Sequence, residues 1–284
     1  MQKPFNKKIQ KVLVITAWSL AVVSLLTIWG FANSTLDEKQ CTDIEVNINN
    51  IDEHDFIKNE DVFSMLKEKN KKLKGQAMGT IDVASLERMF NANSHIANAE
   101  VYKTINGLVK INITTKRPIA RVINSKGESF YVDEAGYLMR WSNNYTANLP
   151  VFTGNIYESY DVCYNINYSK ADINDSVLIK NNLFGIYRLA KYLDSNEFWK
   201  AQIEQVYIGN DVELVPLAGS HIIVLGNFMD IEEKMNKLLV FYTQGLNKVG
   251  WNKYETINLK YKNQIVCSKP NSVSGTKSPL SNIK

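Results

Sequence analysis

The sequence predicts an α+β protein: a single N-terminal transmembrane helix, a β-α-α-β-β unit, then a β-rich part with flanking helices. Three observations carry this. Residues 12–31 are twenty residues without a charge. Residues 41–117 change apolar spacing in the order strand, helix, helix, strand, strand. Residues 118–267 hold short alternating runs separated by turn residues, with two helical stretches among them.

The uncharged run comes first. At about 1.5 Å per residue it reaches across the roughly 30 Å hydrocarbon core of a bilayer. Lys3, Lys7, Lys8 and Lys11 precede it, whereas Asp37, Glu38, Asp43, Glu45, Asp52, Glu53, Asp55, Glu60 and Asp61 follow it against only Lys39 and Lys58. The positive-inside rule therefore puts residues 1–11 in the cytoplasm and everything after the span outside. Trp18 and Trp29 suit the headgroup regions. A cleaved signal peptide would have a shorter apolar region, about 7–15 residues, and a small-x-small cleavage site; this run is longer and leads into Phe31-Ala32-Asn33-Ser34. A retained anchor is expected, followed by a stalk at residues 32–40. Cys41 follows Glu38-Lys39-Gln40, which is not a lipoprotein site.

Of 284 residues, about 250 lie beyond the span, enough for two modest domains. The net charge of +4 comes from the four N-terminal lysines; without them 29 basic face 29 acidic side chains. That balance argues against a nucleic-acid partner, which needs a concentrated cationic surface. Cys41, Cys163 and Cys267 are far apart and odd in number, so neither a disulfide framework nor a thiolate metal site follows from their spacing. One bridge stays open as an alternative.

Residues 41–48 alternate, with Ile44, Val46 and Ile48 on one face of a strand. Asn59 is expected to cap a helix whose first turn carries Glu60 and Asp61, favourable at the positive end of the helix dipole. Val62, Phe63, Leu66 and Leu73 continue it, and the basic run at residues 67–74 reads as a solvated face and frayed end. Asp82 caps a second helix with Val83, Leu86, Met89 and Phe90 as its stripe. Residues 100–103, a tight turn at Asn106-Gly107 and residues 108–113 read as a hairpin. Lys116-Arg117-Pro118-Ile119-Ala120 closes the unit.

A basic N-terminus and anchor, then a β-α-α-β-β module carrying Ile81-Asp82, Leu86-Glu87, Ala99-Glu100-Val101 and Lys116-Arg117-Pro118-Ile119-Ala120, resembles the FtsQ (DivIB) family of bacterial cell-division proteins, with its POTRA domain. Lys116 stands where the family usually has an acid, and Ile119 where it has valine. The resemblance continues. Asp133-Glu134-Ala135-Gly136, between strands at residues 129–132 and 137–139, and Leu149-Pro150-Val151-Phe152-Thr153-Gly154 are similar to the opening of the family's β domain. After them, residues 155–175 read as a loop with an edge strand, and residues 178–193 as the longest helix outside the span. Strands follow at residues 203–208, 212–217 and 222–225, the first two joined by a turn at Asn210-Asp211. A helix from Asp230 to about Leu246, a last strand at residues 256–266 and a disordered tail at 268–284 complete the chain. The expected divisions are a POTRA-like domain at 41–117 and a β domain at 118–267.

No catalytic constellation emerges. His54, His95 and His221 form no H-E-x-x-H or H-x-H spacing, and there is no C-x-x-C, G-x-S-x-G, Walker loop or G-x-G-x-x-G. His54 reads as an exposed loop residue. Neither metal, cofactor nor small-molecule substrate is expected, which leaves protein recognition. In the last strand Ile257, Leu259, Tyr261 and Ile265 share one face, and Thr256, Asn258, Lys260, Lys262 and Gln264 the other. As the end of a sheet it offers its backbone to a partner segment adding as one more strand. The resemblance implies the same place: in this family the end of the β domain docks a segment of a small bitopic coiled-coil division protein. The family's Arg-Tyr corresponds to Lys260-Tyr261, and the contact continues over Lys262, Asn263, Gln264, Ile265 and Val266. For the POTRA-like domain it implies contact with other septal membrane proteins, for which the outer surface of residues 108–115 is the candidate.

The expectation is a non-enzymatic scaffold in the bacterial inner membrane, its C-terminal part periplasmic and at the division septum. A POTRA-type polypeptide-binding module in outer-membrane secretion or assembly, and an anchored sugar-modifying enzyme, are the competing readings. The second lacks the Asp-x-Asp common in nucleotide-sugar enzymes.

Overall fold

Helix α1 (Lys7–Glu38) runs unbroken for 32 residues. In this computed structural model residues 7–50, 55–170 and 181–270 are described, with the backbone alone for 7–10, 12 and 29–36. Among the described residues no helix is long and apolar enough to cross a membrane. The expected span of residues 12–31 is helical throughout, but Val12 and residues 29–31 lie outside the described side chains. The sixteen residues between, 13–28, rise only about 24 Å. Within them the hydroxyls of Thr16, Ser19 and Thr27 each donate to the carbonyl three residues back, which satisfies polar groups without leaving the helix. The expected stalk is mostly helix as well, since α1 continues to Glu38.

The chain divides into two units, residues 1–51 with 57–115, and residues 52–56 with 116–284. In the first, β1 (Asp43–Asn49), α2 (Asn59–Glu68), α3 (Val83–Asn91), β2 (Ile96–Lys103) and β3 (Leu108–Thr115) follow in the expected order. Their sheet is ordered β1-β3-β2, with β1 parallel and β2 antiparallel to the central β3. Val109, Ile111 and Ile113 point inward from β3 and pack with Val62 and Leu66 of α2 and Leu86 and Phe90 of α3. That burial is what the alternation on β3 and the 3.6-residue stripe on α3 encode. Asp82 caps α3 through Ser85 N–H at 3.0 Å.

Two local expectations are corrected here. Asn59 is the first residue of α2 and Lys58 holds the cap position; the Asp61 carboxylate reaches back to accept from Lys58 N–H at 2.8 Å. The β2–β3 turn spans Thr104 to Gly107, closed by Gly107 N–H on the Thr104 carbonyl, and only Gly107 takes a positive φ, +84°. It is therefore a four-residue connection and not the two-residue Asn-Gly turn, because β2 already ends at Lys103 while β3 starts at Leu108.

The second unit is built on one nine-stranded sheet. Its strands are β4 (Pro118–Ile123), β5 (Ser129–Asp133), β6 (Leu138–Arg140), β7 (Val151–Gly154), β8 (Ile203–Ile208), β9 (Val212–Pro216), β10 (Ile222–Gly226), β11 (Thr256–Asn258) and β12 (Val266–Ser268). Across the sheet they stand β12-β11-β10-β9-β8-β7-β4-β5-β6. The helices are α4 (Tyr160–Cys163), α5 (Asn182–Asp194), α6 (Glu197–Gln202) and α7 (Ile231–Val240), the last continuing as a π-helical stretch, Phe241–Leu246. Leu183, Ile186, Leu189 and Leu193 of α5 and Met235 and Leu238 of α7 share one core with Val122, Phe152, Val206, Leu214, Ile223 and Ile257 of the strands. Tyr131 and Met139 instead pack with Phe56 and Ala147.

Lys116 and Arg117, expected to close the first unit, open the second. Arg117 forks onto Asp194 at the end of α5 at 3.0 and 2.6 Å and donates to Glu134 at 2.9 Å. Lys116 pairs with the buried Asp133 at 3.3 Å. In residues 155–170 there is no strand; α4 and a 3₁₀ turn, Tyr168–Lys170, take its place. The helix expected at residues 178–193 is α5, which starts at Asn182, capped by Asn181; Leu178 lies outside the described residues, as do His54 and residues 271–284 of the expected tail. Ser268, placed in that tail, ends a strand. All three cysteines are free thiols.

Candidate functional site

The expected last strand, residues 256–266, is a hairpin. Ile257 and Leu259 are fully buried, as the alternation requires, but the pattern breaks at Lys260, and residues 260–264 are exposed. Three bonds turn the chain out. Leu259 N–H donates to the Val224 carbonyl at 2.9 Å, Lys260 N–H to Asn258 Oδ1 at 3.0 Å, and Lys237 Nζ of α7 to the Tyr261 carbonyl at 2.8 Å. Asn263 then takes a left-handed φ of +60°, a conformation asparagine tolerates better than most residues. The chain returns antiparallel, with Cys267 opposite Ile257 and Val266 opposite Asn258. The hydroxyls of Thr256 and Ser268 close the open end.

This geometry corrects the docking mode. β11 lies between β10, which it meets in parallel, and β12. It has no free side, so no further strand adds there. Among the described residues the sheet ends on this side at β12.

The candidate residues are thus distributed over two elements. Tyr261, Lys262, Asn263 and Gln264 form an exposed loop, Ile265 is half-buried, and Val266, 44% exposed, begins the edge strand. Tyr261 is 47% exposed, not a core residue. Lys260 is engaged within the chain: its ammonium meets Asp211 Oδ2, in the β8–β9 turn, at 2.7 Å, and this hydrogen bond raises the lysine pKa. Its stem lies over Gly226, φ +85°, where a Cβ would come within 2.5 Å of Lys260 Cγ. The exposed pair contributes little stability but engages the lysine charge within the chain. Beside the loop, Val240, Phe241 and Gly245 of the α7 region and Asn263 and Ile265 line a groove of about 570 Å³.

Sequence reasoning missed Asp211, Lys237, Cys267 and Ser268. Nothing local marks the first two, whose contacts lie 49 and 24 residues away.

Two family models match the chain. One, described as FtsQ/DivIB, C-terminal related, covers residues 117–268. The chain belongs to the FtsQ/DivIB family. The other, a POTRA-like domain, covers residues 39–114. No curated protein matches the chain. In this FtsQ/DivIB-family chain the matched region ends at Ser268, the last residue of β12, so the hairpin lies wholly inside it. Among the described residues no group of three or more His, Cys, Asp or Glu is placed to hold a metal.

Proposed function

We propose that this FtsQ/DivIB-family protein is a membrane-anchored, non-enzymatic scaffold of bacterial division, with α1 as a single-pass anchor, the N-terminus cytoplasmic and both units outside, at the septum. The observation that carries the reading is a terminal hairpin with an exposed loop and a strand that ends the sheet among the described residues, inside the region matched by the family model. A segment of a small bitopic coiled-coil division protein adds to β12 while Tyr261, Lys262, Asn263, Gln264 and Val266 contact its side chains. Lys260 contributes through its hold on the loop. A short added strand gains a few main-chain hydrogen bonds of about 0.5–1.5 kcal/mol each, moderate affinity that suits partners already confined to one membrane.

The test is photocrosslinking in living cells from a reactive residue at position 262, with co-purification of the division complex by Tyr261→Ala and Lys260→Glu variants. Crosslinks to one small bitopic partner, and its loss from both correctly folded variants, are expected. Full retention by both variants would move the site elsewhere. A uniform envelope signal from the tagged protein would argue against the septal role.

A further inference from the structure

We propose that the lysine loop after α2 is a contact site for the anionic phospholipid headgroups of the bilayer that holds the anchor; this rests on reading α1 as that anchor. Residues 67–74, the last two residues of α2 and the loop that follows, hold five lysines against one acid, Glu68. The loop has a defined conformation. Asn70, φ +53°, ends α2 with Lys71 N–H on the Leu66 carbonyl at 2.9 Å and Asn70 N–H on the Lys67 carbonyl at 3.0 Å, the Schellman pattern. The lysines therefore leave the helix at set positions.

They surround a groove of about 380 Å³. Ile44 and Phe63 supply apolar surface, with Phe63 45% exposed, and Lys67, Lys71 and Lys72 supply the charge. Lys74 is paired with Asp43 at 3.4 Å. Among the described residues no side-chain hydrogen bond or ion pair engages Lys67, Lys69, Lys71 or Lys72. Cations beside an exposed aromatic are the chemistry of an interfacial lipid contact.

The loop is also tied to the end of α1. Cys41 N–H donates to the Gln76 carbonyl at 2.7 Å, Gly75 N–H to the Cys41 carbonyl at 2.8 Å, and Met78 N–H to the Lys39 carbonyl at 2.8 Å. A Cβ on Gly79 would lie 2.9 Å from Asp37 Cβ, so the 3₁₀ turn Met78–Thr80 abuts the last turn of the helix. If the bilayer ends at residue 31, residues 32–38 lift this junction roughly 10 Å. That is comparable with the Debye length of about 8 Å, over which lysines feel an anionic surface.

The test uses the full chain in lipid nanodiscs of phosphatidylcholine alone or with phosphatidylglycerol, with lysine acylation followed residue by residue by mass spectrometry. In the anionic discs Lys67, Lys69, Lys71 and Lys72 should react several-fold more slowly, and high salt should abolish the difference. A Lys71→Gln/Lys72→Gln variant should restore fast acylation of Lys67 and Lys69. Equal rates in both discs would overturn the proposal and leave the anchor standing, whereas failure to enter discs at all would overturn both. Protection in whole cells but in neither disc would assign the loop to an acidic polypeptide and overturn the lipid contact.

Discussion

Arg117 and Asp194 show what one largely buried pair does in this fold. The guanidinium is 15% exposed and the carboxylate 10%, and their two parallel bonds join the start of β4 to the end of α5. Asp194→Ala removes both of these bonds and should cost about 3 kcal/mol in a urea titration. Arg117→Lys should also destabilise, because an ammonium lacks the fork. The hydrogen bonds from Arg117 hold the Asp194 carboxyl below its usual pKa. Its stabilisation is thus complete above the unfolded carboxylate value near pH 4 and is lost as pH falls through the lower folded value. His221 acts in another window. It is buried, shares a 2.6 Å hydrogen bond with Tyr242, and burial lowers its pKa. The unfolded chain therefore binds the proton first, and stability should fall as pH drops below about 6.5 towards the folded value. Urea midpoints at pH 7.5, 6 and 5 should show this slope, and His221→Gln should flatten it.

Among the elements, the terminal hairpin is the clearest case of local chemistry deciding an edge. Its loop depends on a left-handed residue at 263, so Asn263→Gly should be tolerated, while Asn263→Ile should cost about 1–2 kcal/mol. Amide exchange at Glu255, whose N–H donates to the Ser268 carbonyl at 2.9 Å, is the measurement: the first variant should keep protection, the second should lose it. The helices were easier to read than this hairpin. The stripe of Leu86 and Phe90 with the Asp82 cap marks α3, and Asn181 with Leu183, Ile186, Leu189 and Leu193 marks α5. The alternation from Thr256 to Leu259 was equally legible, but periodicity continues on paper through Tyr261 and Ile265 after the chain has turned. What interrupts it is a bond from Lys237, twenty-four residues away.

In the whole molecule two cores share no residue. One gathers Phe90, Val62 and Ile111, the other Trp199, Leu189 and Val206. Phe90→Ala should destabilise the first unit by about 3–5 kcal/mol. Calorimetry should show its transition falling while the transition of the second unit stays in place. The sequence by itself determined the strand-helix-helix-strand-strand order of the first unit and the family, because apolar periodicity, caps and short motifs are written within a few residues of one another. Only the tertiary structure decided that Arg117 belongs to the second unit, that Lys260 is spent on Asp211, and that β12, not β11, ends the sheet. Each of these is a long-range pairing, set by which surfaces the folded chain brings into register, and no local pattern carries that information.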